Sequence, residues 1–252
     1  MTPLVAITNL VLGTVYTCYG LMTIVDLRRG WRTNGFSHFG VAWLFMAFTC
    51  GPHHLDHGLH VLVAGRSGGA LDLVTILAGF PAGIAWFLLR VEAMLGGRGD
   101  RTIAGNPLWL RVLPTVSFAF VAAVISGMIS VVGDDVSFLA RTWPNIALVV
   151  LYGAIGLLLL RTQLRNNAVT GAWSASGLTL SMVMVTCALM HGVYVSYAHA
   201  GRYDVDIHGL SIDTVGVPAA AYFLWVTYAL YRGWLRDWDR TPEPVSTVPV
   251  GV

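Results

Sequence analysis

Seven long runs of apolar residues, separated by short polar connections, are the feature that most constrains the fold of this chain. A helix needs about 20 mainly apolar residues to cross the hydrocarbon core of a bilayer. Runs of that kind occupy residues 4–25, 36–63, 71–91, 108–132, 142–160, 172–198 and 212–234. The pattern predicts an all-α integral membrane protein in which residues 1–240 form a bundle of seven transmembrane helices. We expect residues 241–252, which contain three prolines and no apolar periodicity, to be a disordered cytoplasmic tail.

The composition supports a membrane protein and excludes several other classes. Apolar residues make up 56% of the 252 residues and charged residues only 11%, where a soluble domain has about 25% charged residues. Such a chain is neither disordered nor a nucleic-acid binder, so the expected surroundings are the lipid bilayer. All 15 basic residues are arginines. A chromophore attached to lysine is therefore excluded.

The distribution of the arginines predicts the orientation of the bundle. Twelve of them follow helices 1, 3, 5 and 7, whereas three lie in the alternate connections. The first group is Arg28, Arg29, Arg32, Arg90, Arg98, Arg101, Arg111, Arg161, Arg165, Arg232, Arg236 and Arg240; the second is Arg66, Arg141 and Arg202. Because arginines collect on the cytoplasmic side, we expect the N-terminus outside and the C-terminus in the cytoplasm of a multi-pass protein of the cell membrane. The Gly-rich segment 96–106 is expected to be a mobile cytoplasmic loop.

Four histidines and one aspartate lie close together in the sequence GPHHLDHGLH, residues 51–60. With about 100° of rotation per residue of helix, Cys50, His53, His57 and His60 form one stripe, and His54 and Asp56 lie on its two flanks. Polar groups inside a membrane span are costly and usually face the protein interior. Imidazoles spaced by three, four or seven residues can converge on a metal ion. This segment therefore predicts a metal site.

The sixth apolar run supplies a second group of candidate ligands, because Cys187 and His191 share a helical face. His199 lies near the end of that run, and His208 follows in the next connection together with Asp213. Asp72, at the start of the third run, is a further candidate for a ligand or for a hydrogen-bond partner of an imidazole. In the predicted orientation, seven of the eight histidines lie in the extracytoplasmic half, and His38 lies at the opposite end. The candidate metal ligands are His53, His54, Asp56, His57, His60, His191, His199 and His208, with Cys50, Cys187 and Asp72 as additional ones.

The residue types favour a transition metal, and several functions agree with them. Imidazole binds copper, zinc, iron and nickel, and a site facing away from the cytosol favours copper, with zinc and iron as alternatives. We expect a metal-dependent oxidoreductase, its metal site mononuclear or multinuclear, that acts on a hydrophobic or periplasmic small molecule at the outer leaflet. The alternatives are a protein that binds, senses or transports copper or zinc, and a b-type haem protein for electron transfer. A haem does not account for adjacent histidines at 53 and 54. Oligomers or partner subunits are compatible with the short connections.

Overall fold

The structure, a computed structural model, describes residues 1–65, 69–132, 136–200 and 207–238, and only the backbone of residues 132, 136, 137, 140 and 207–209. The predicted tail, residues 241–252, lies outside the described residues. In the described parts the chain forms seven helices and two short strands. The helices are α1 (Thr2–Asn34), α2 (His38–Ala64), α3 (Ala70–Met94), α4 (Leu108–Val132), α5 (Val136–Thr170), α6 (Ala175–His199) and α7 (Ile207–Arg232), and the strands are β1 (Thr102–Ala104) and β2 (Ala172–Ser174). The prediction of an all-helical fold is confirmed.

Six of the seven helices are long and apolar enough to cross a membrane. The helix outside this set is α2, which carries five of the eight histidines. Imidazoles lower the mean hydropathy of a helix. The histidines of α2, which are also its candidate functional residues, therefore account for its lower hydropathy. The helices and their apolar composition are consistent with a membrane protein.

The helices are arranged as a closed ring with one helix outside it. Around the ring, α1 contacts α2, α2 contacts α7, α7 contacts α5, α5 contacts α6, α6 contacts α3, and α3 returns to α1. Helix α4 packs on the outside against α5 and α6 and exposes large apolar side chains such as Phe118 and Ile129. An exposed apolar surface of this kind suits contact with lipid. The largest buried cluster fills the inside of the ring with residues such as Met46, Tyr152 and Phe223.

Helices α1 and α2 approach each other closely because small residues line their contact. A Cβ atom added to Gly13 would lie 2.8 Å from the carbonyl oxygen of Gly51, and one added to Gly58 would lie 3.0 Å from the carbonyl oxygen of Ala6. Small residues of this kind let two membrane helices pack backbone against backbone. The close contact fixes the face of α2 that carries the histidines relative to α1. Pro52 lies inside α2, which continues through it to Ala64.

Three boundaries differ from the sequence prediction. Helix α5 extends at both ends beyond the predicted 142–160, because the polar residues at its ends are helical although they are not apolar. The predicted sixth span began at residue 172, but residues 172–174 form β2 and the helix begins at Ala175. Helix α7 begins at Ile207, five residues before the predicted start, so Asp213 lies in the second turn of a helix and not in a connection.

The connection 96–106 was predicted to be a loop, but the structure shows that part of it is a strand. Its residues 102–104 form β1, which pairs antiparallel with β2 through Thr102 and Ser174, Ile103 and Trp173, and Ala104 and Ala172. The Asp100 carboxylate accepts hydrogen bonds from the backbone N–H of Ser176, at 2.8 Å, and from the hydroxyl of Ser174, at 2.7 Å. The connection is therefore attached to the start of α6. We call the end of the bundle that contains Arg90 and Asp100 the Arg end, and the opposite end, with His53 and His191, the His end.

Candidate metal centre

Three side chains from three helices meet inside the ring near the His end. They are His53 of α2, His191 of α6 and Asp213 of α7, and one ligand atom of each lies within 4.8 Å of the other two. His53 Nδ1 is 2.9 Å from Asp213 Oδ1, and His191 Nδ1 is 3.9 Å from the same oxygen. The two imidazole rings lie with their centres 4.8 Å apart. Because α2 and α6 are not neighbours in the ring of helices, the two histidines meet across its interior.

A hydrogen-bonded chain fixes the protonation of His191. The Asn145 amide nitrogen lies 2.7 Å from Asp213 Oδ2, and the Asn145 amide oxygen lies 2.6 Å from His191 Nδ1. An ionised carboxylate only accepts hydrogen bonds, so Asn145 donates to Asp213 and its oxygen must accept a hydrogen bond from His191 Nδ1–H. In a neutral imidazole, the lone pair then lies on His191 Nε2. A histidine that binds a metal typically donates its other N–H to an oxygen in this way.

His53 differs from His191 because its Nδ1 atom makes no hydrogen bond within the described part of the chain. Asp213 Oδ1 is only 2.9 Å away, but it does not lie in the direction in which a ring N–H could donate. Buried polar atoms of folded proteins nearly always have a partner, and an exception requires an explanation. A metal ion bound between the imidazole and the carboxylate would provide one.

The Asp213 carboxylate places a negative charge in an apolar interior. Asp213 is only 2% exposed, and burying a carboxylate is costly unless it is paired and hydrogen-bonded. Its described partners are the Asn145 amide and the two imidazoles. A divalent cation held by His53, His191 and Asp213 would balance this charge without requiring either imidazole to be protonated.

Two cysteines lie one turn away on the same helices, next to this group of three side chains. Cys50 and Cys187 are both buried thiols, and their side chains interact with each other. The Cys50 sulfur is also 3.2 Å from the hydroxyl oxygen of Tyr152. The structure therefore brings these predicted additional ligands next to the candidate centre, but not into the group of three.

His57 and Asp72 form a second pair beside the first group. His57 Nε2 is 3.5 Å from Asp72 Oδ2, and both side chains are largely buried. Together with His53, Met190 and Tyr194 they line a cleft of about 10 Å³, roughly the space required by one water molecule. This cleft reaches His53 from the side of α3, so a small molecule such as water could contact the metal-binding group there.

The other predicted ligands lie away from this group. His54 points toward α1, where its Nδ1 is 2.8 Å from Asn9 Oδ1 and its ring packs against Tyr16. Asp56 and His60 are half-buried on α2, and His199 is exposed at the end of α6 with its ring against Phe138. His208 lies in the first turn of α7, where the structure describes only the backbone. His38, which was not a predicted ligand, lies at the Arg end, where its Nδ1 is 3.2 Å from the Tyr222 hydroxyl oxygen.

One residue of the group, Asp213, and the Asn145 side chain that contacts it were absent from the sequence-based set of ligands and their partners. Asp213 had been placed in a connection with other aspartates, and Asn145 had not been considered. Both are polar residues inside apolar helices, and such residues usually face the protein interior and mark a function. That signal could have identified Asn145 within the predicted fifth span and Asp213 at the start of the seventh.

Comparison of the chain with models of protein families, with curated proteins and with solved structures found no match. The geometry of the centre is therefore the basis for a proposed function.

Proposed function

We propose that this chain is a membrane-spanning metalloprotein that binds one transition-metal ion through His53, His191 and Asp213. The observation that carries the proposal is the convergence of two imidazoles and one carboxylate, from three different helices, inside the bundle. Two further features support it: His53 Nδ1 makes no hydrogen bond in the described residues although Asp213 Oδ1 lies 2.9 Å away, and the Asn145 bridge orients His191.

The orientation of the protein is part of the proposal. All seven helices cross the membrane, with the N-terminus outside and the C-terminus in the cytoplasm, as the arginine distribution favours. Helix α2 crosses although it is less apolar, because it packs between α1 and α7 and its described imidazoles have polar or aromatic partners inside the bundle. The metal site then faces the extracytoplasmic side.

The ligand set changes the expected order of metals. Two histidines and one carboxylate are the protein ligands of several catalytic zinc sites and of non-haem iron(II) sites. We therefore place zinc and iron(II) before copper, which the expected extracytoplasmic location of the site had favoured. The cleft beside His53 has room for about 10 Å³, which suits a water molecule and not a porphyrin. The geometry thus favours a single ion over a haem.

Three protein ligands favour catalysis over a purely structural role, because a structural zinc site normally closes its coordination with four. An open position would allow the metal to activate water or a substrate oxygen. With iron or copper the chemistry would be that of an oxidoreductase, and with zinc that of a hydrolase. In either case the substrate would be a small molecule reaching the site from the outer leaflet or the periplasm.

Elemental analysis of the purified protein tests the metal site. We expect a stoichiometric transition metal in the wild-type protein and its loss in His53→Ala, His191→Ala and Asp213→Ala. Because lipid and helix packing hold the bundle together, the three variants should remain helical and monodisperse. His38→Ala and His54→Ala are the matched controls, since both remove a histidine whose partner lies outside the group. Equal metal loss in these controls, or a metal-free wild-type protein after supplementation with zinc, iron and copper, would contradict the proposal.

Accessibility labelling tests the orientation separately. A tag inserted at Ser67 should react with an impermeant reagent in intact cells, and a reporter fused after Arg240 should be active only in the cytoplasm. Labelling of the Ser67 tag only after permeabilisation would reverse the orientation and place the metal site on the cytosolic half. The metal-binding result would not change.

A further inference from the structure

Two adjoining clefts lie at the Arg end of the bundle, far from the candidate metal centre. One has a volume of about 300 Å³ and is lined by Trp86, Ser174 and Ser176 among others. The other has a volume of about 220 Å³ and is lined by residues that include Asp26 and Trp43. Tyr19, Phe39 and Arg90 contribute to both. We call the two together the Arg90 clefts, and the larger one reaches the lower limit of the volumes of small-molecule sites.

Aromatic side chains form much of the wall of these clefts. The ring centres of Tyr19 and Trp86 are 4.2 Å apart, those of Trp43 and Trp86 are 4.2 Å apart, and those of Tyr19 and Trp43 are 5.2 Å apart. These contacts hold each ring in place through its neighbours. A rigid aromatic wall suits a flat ring more than a flexible acyl chain.

Two buried donors lie in the same wall and make no hydrogen bond within the described residues: Trp43 Nε1–H and Arg90 Nε–H. Trp43 is only 2% exposed. Buried tryptophans usually find an acceptor for the indole N–H, and two unpaired donors around one space are uncommon in a folded protein. The carboxylates and hydroxyls that line the clefts do not accept from these two donors, so a ligand that carries an acceptor would satisfy them.

The charges of the clefts exclude an anion as the preferred ligand. Arg90 forms an ion pair with Asp26, and its guanidinium lies 5.5 Å from the centre of the Tyr19 ring. The charged residues that line the two clefts are Arg90, Asp26 and Asp237, one cation and two carboxylates. The Asp237 carboxylate accepts hydrogen bonds from the Phe39 N–H and the Ser37 hydroxyl at the start of α2. An anionic ligand would meet no uncompensated positive charge here.

We propose that the Arg90 clefts bind a neutral, planar, membrane-soluble molecule whose carbonyl oxygens accept the hydrogen bonds of Trp43 and Arg90, with a quinone ring as the chemical class. The ring would lie against Tyr19 and Trp43 in the smaller cleft, which Arg90 also lines, and a carbonyl oxygen would satisfy the donors. This site does not depend on the metal centre, because Trp43 precedes His53 by ten residues of helix, about 15 Å.

Duroquinone binding to the detergent-solubilised full chain, followed by isothermal titration calorimetry, tests the proposal. Durene, which has the same methylated ring without the oxygens, is the matched ligand. We expect saturable binding of duroquinone at one site and no saturable binding of durene. The variant Trp43→Phe keeps an aromatic ring but loses the donor, and it should weaken duroquinone binding by about three- to tenfold, the effect of one hydrogen bond.

Arg90→Lys is the second variant, since it keeps the charge opposite Asp26 but lacks the Nε donor, and it should weaken binding similarly. Trp225→Phe, at an exposed tryptophan of α7, is the control and should bind as the wild type does. Metal content should stay unchanged in all three variants. Equal binding of durene and duroquinone, unchanged affinity in Trp43→Phe and Arg90→Lys, or a tightly bound phospholipid displaced by neither ligand would overturn the proposal.

Discussion

Asp213 at the His end and Asp100 at the Arg end are both aspartates held by neighbouring helices, but their surroundings differ. Asp100 is half-buried and accepts hydrogen bonds from the Ser174 hydroxyl and from the backbone N–H groups of Arg101 and Ser176, at 2.7–2.8 Å. Asp213 is 2% exposed and accepts a hydrogen bond from the Asn145 amide at 2.7 Å. An imidazole nitrogen without a hydrogen bond in the described residues lies beside it.

The difference separates a carboxylate that organises the backbone from one that is available to a ligand. The donors around Asp100 satisfy its oxygens and attach the 96–106 connection to the start of α6, so Asp100 has a structural role. Around Asp213 the neighbours are two imidazoles, a residue type suited to metals, and Asn145 orients one of them, that of His191. The two carboxylates differ in burial as well, but it is the identity of their partners that indicates the different roles.

The largest effect is expected for Asn145→Ala, which removes the hydrogen-bond partner that orients His191 and supports Asp213. Loss of such a partner typically weakens metal binding by about 10- to 100-fold. Asn9→Ala is the matched control, because Asn9 is also a buried asparagine whose amide oxygen contacts an imidazole, that of His54. Metal affinity, measured by competition with a chelator, should fall only in Asn145→Ala. Equal affinities in the two variants would show that Asn145 does not orient a metal ligand.

An intermediate effect is expected when stability is compared in the metal-free protein. His54→Ala leaves the Asn9 side chain without its imidazole partner between α1 and α2, which should lower stability by about 1–3 kcal/mol. His53→Ala removes an imidazole 2.9 Å from the buried Asp213 carboxylate, so in the metal-free protein it should also lower stability, because the carboxylate loses a partner. Thermal unfolding in detergent measures both. An unchanged stability in metal-free His53→Ala would show that Asp213 does not depend on His53 when no metal is bound.

The smallest effect concerns Asp100 and pH. Burial alone would raise the pKa of Asp100, but the hydrogen bonds from Ser176, Ser174 and the Arg101 N–H outweigh it and hold the pKa below its usual range. Because the pKa is lower in the folded state, the stabilisation is present above the unfolded value of about 3.9 and is lost as pH falls toward the folded value. Since Asp100 is partly exposed, the gain should be below about 1 kcal/mol.

Thermal unfolding of wild type and Asp100→Asn, measured from pH 7 to pH 3, tests this prediction. The wild type should be more stable at pH 7, and the difference between the two proteins should shrink as the solution becomes acidic. A constant difference across the range would show that the Asp100 charge does not contribute.

The sequence predicted the helices well because hydropathy reports directly on apolar surface. It was less accurate at their ends: residues 161–170 are helical but polar, and residues 172–174 form a strand only because β1 lies beside them. At the centre, the 100° rotation per residue correctly separated His53 from His54. It could not show that α2 and α6 face each other across the ring, or that α5 and α7 supply Asn145 and Asp213. Those contacts depend on helix packing, which a single helical pattern does not contain.

X-ray absorption spectroscopy at the edge of the bound metal tests the central claim most directly, because it measures the atoms around the ion. The proposed site predicts a first shell of nitrogen and oxygen only, near 2.0–2.2 Å, with the multiple scattering of about two imidazoles. Changing Asp213 to Asn should alter this shell, while changing both Cys50 and Cys187 to Ser should leave it as it is. A sulfur shell near 2.3 Å that disappears in the double cysteine variant would contradict the assignment of His53, His191 and Asp213 as the ligands.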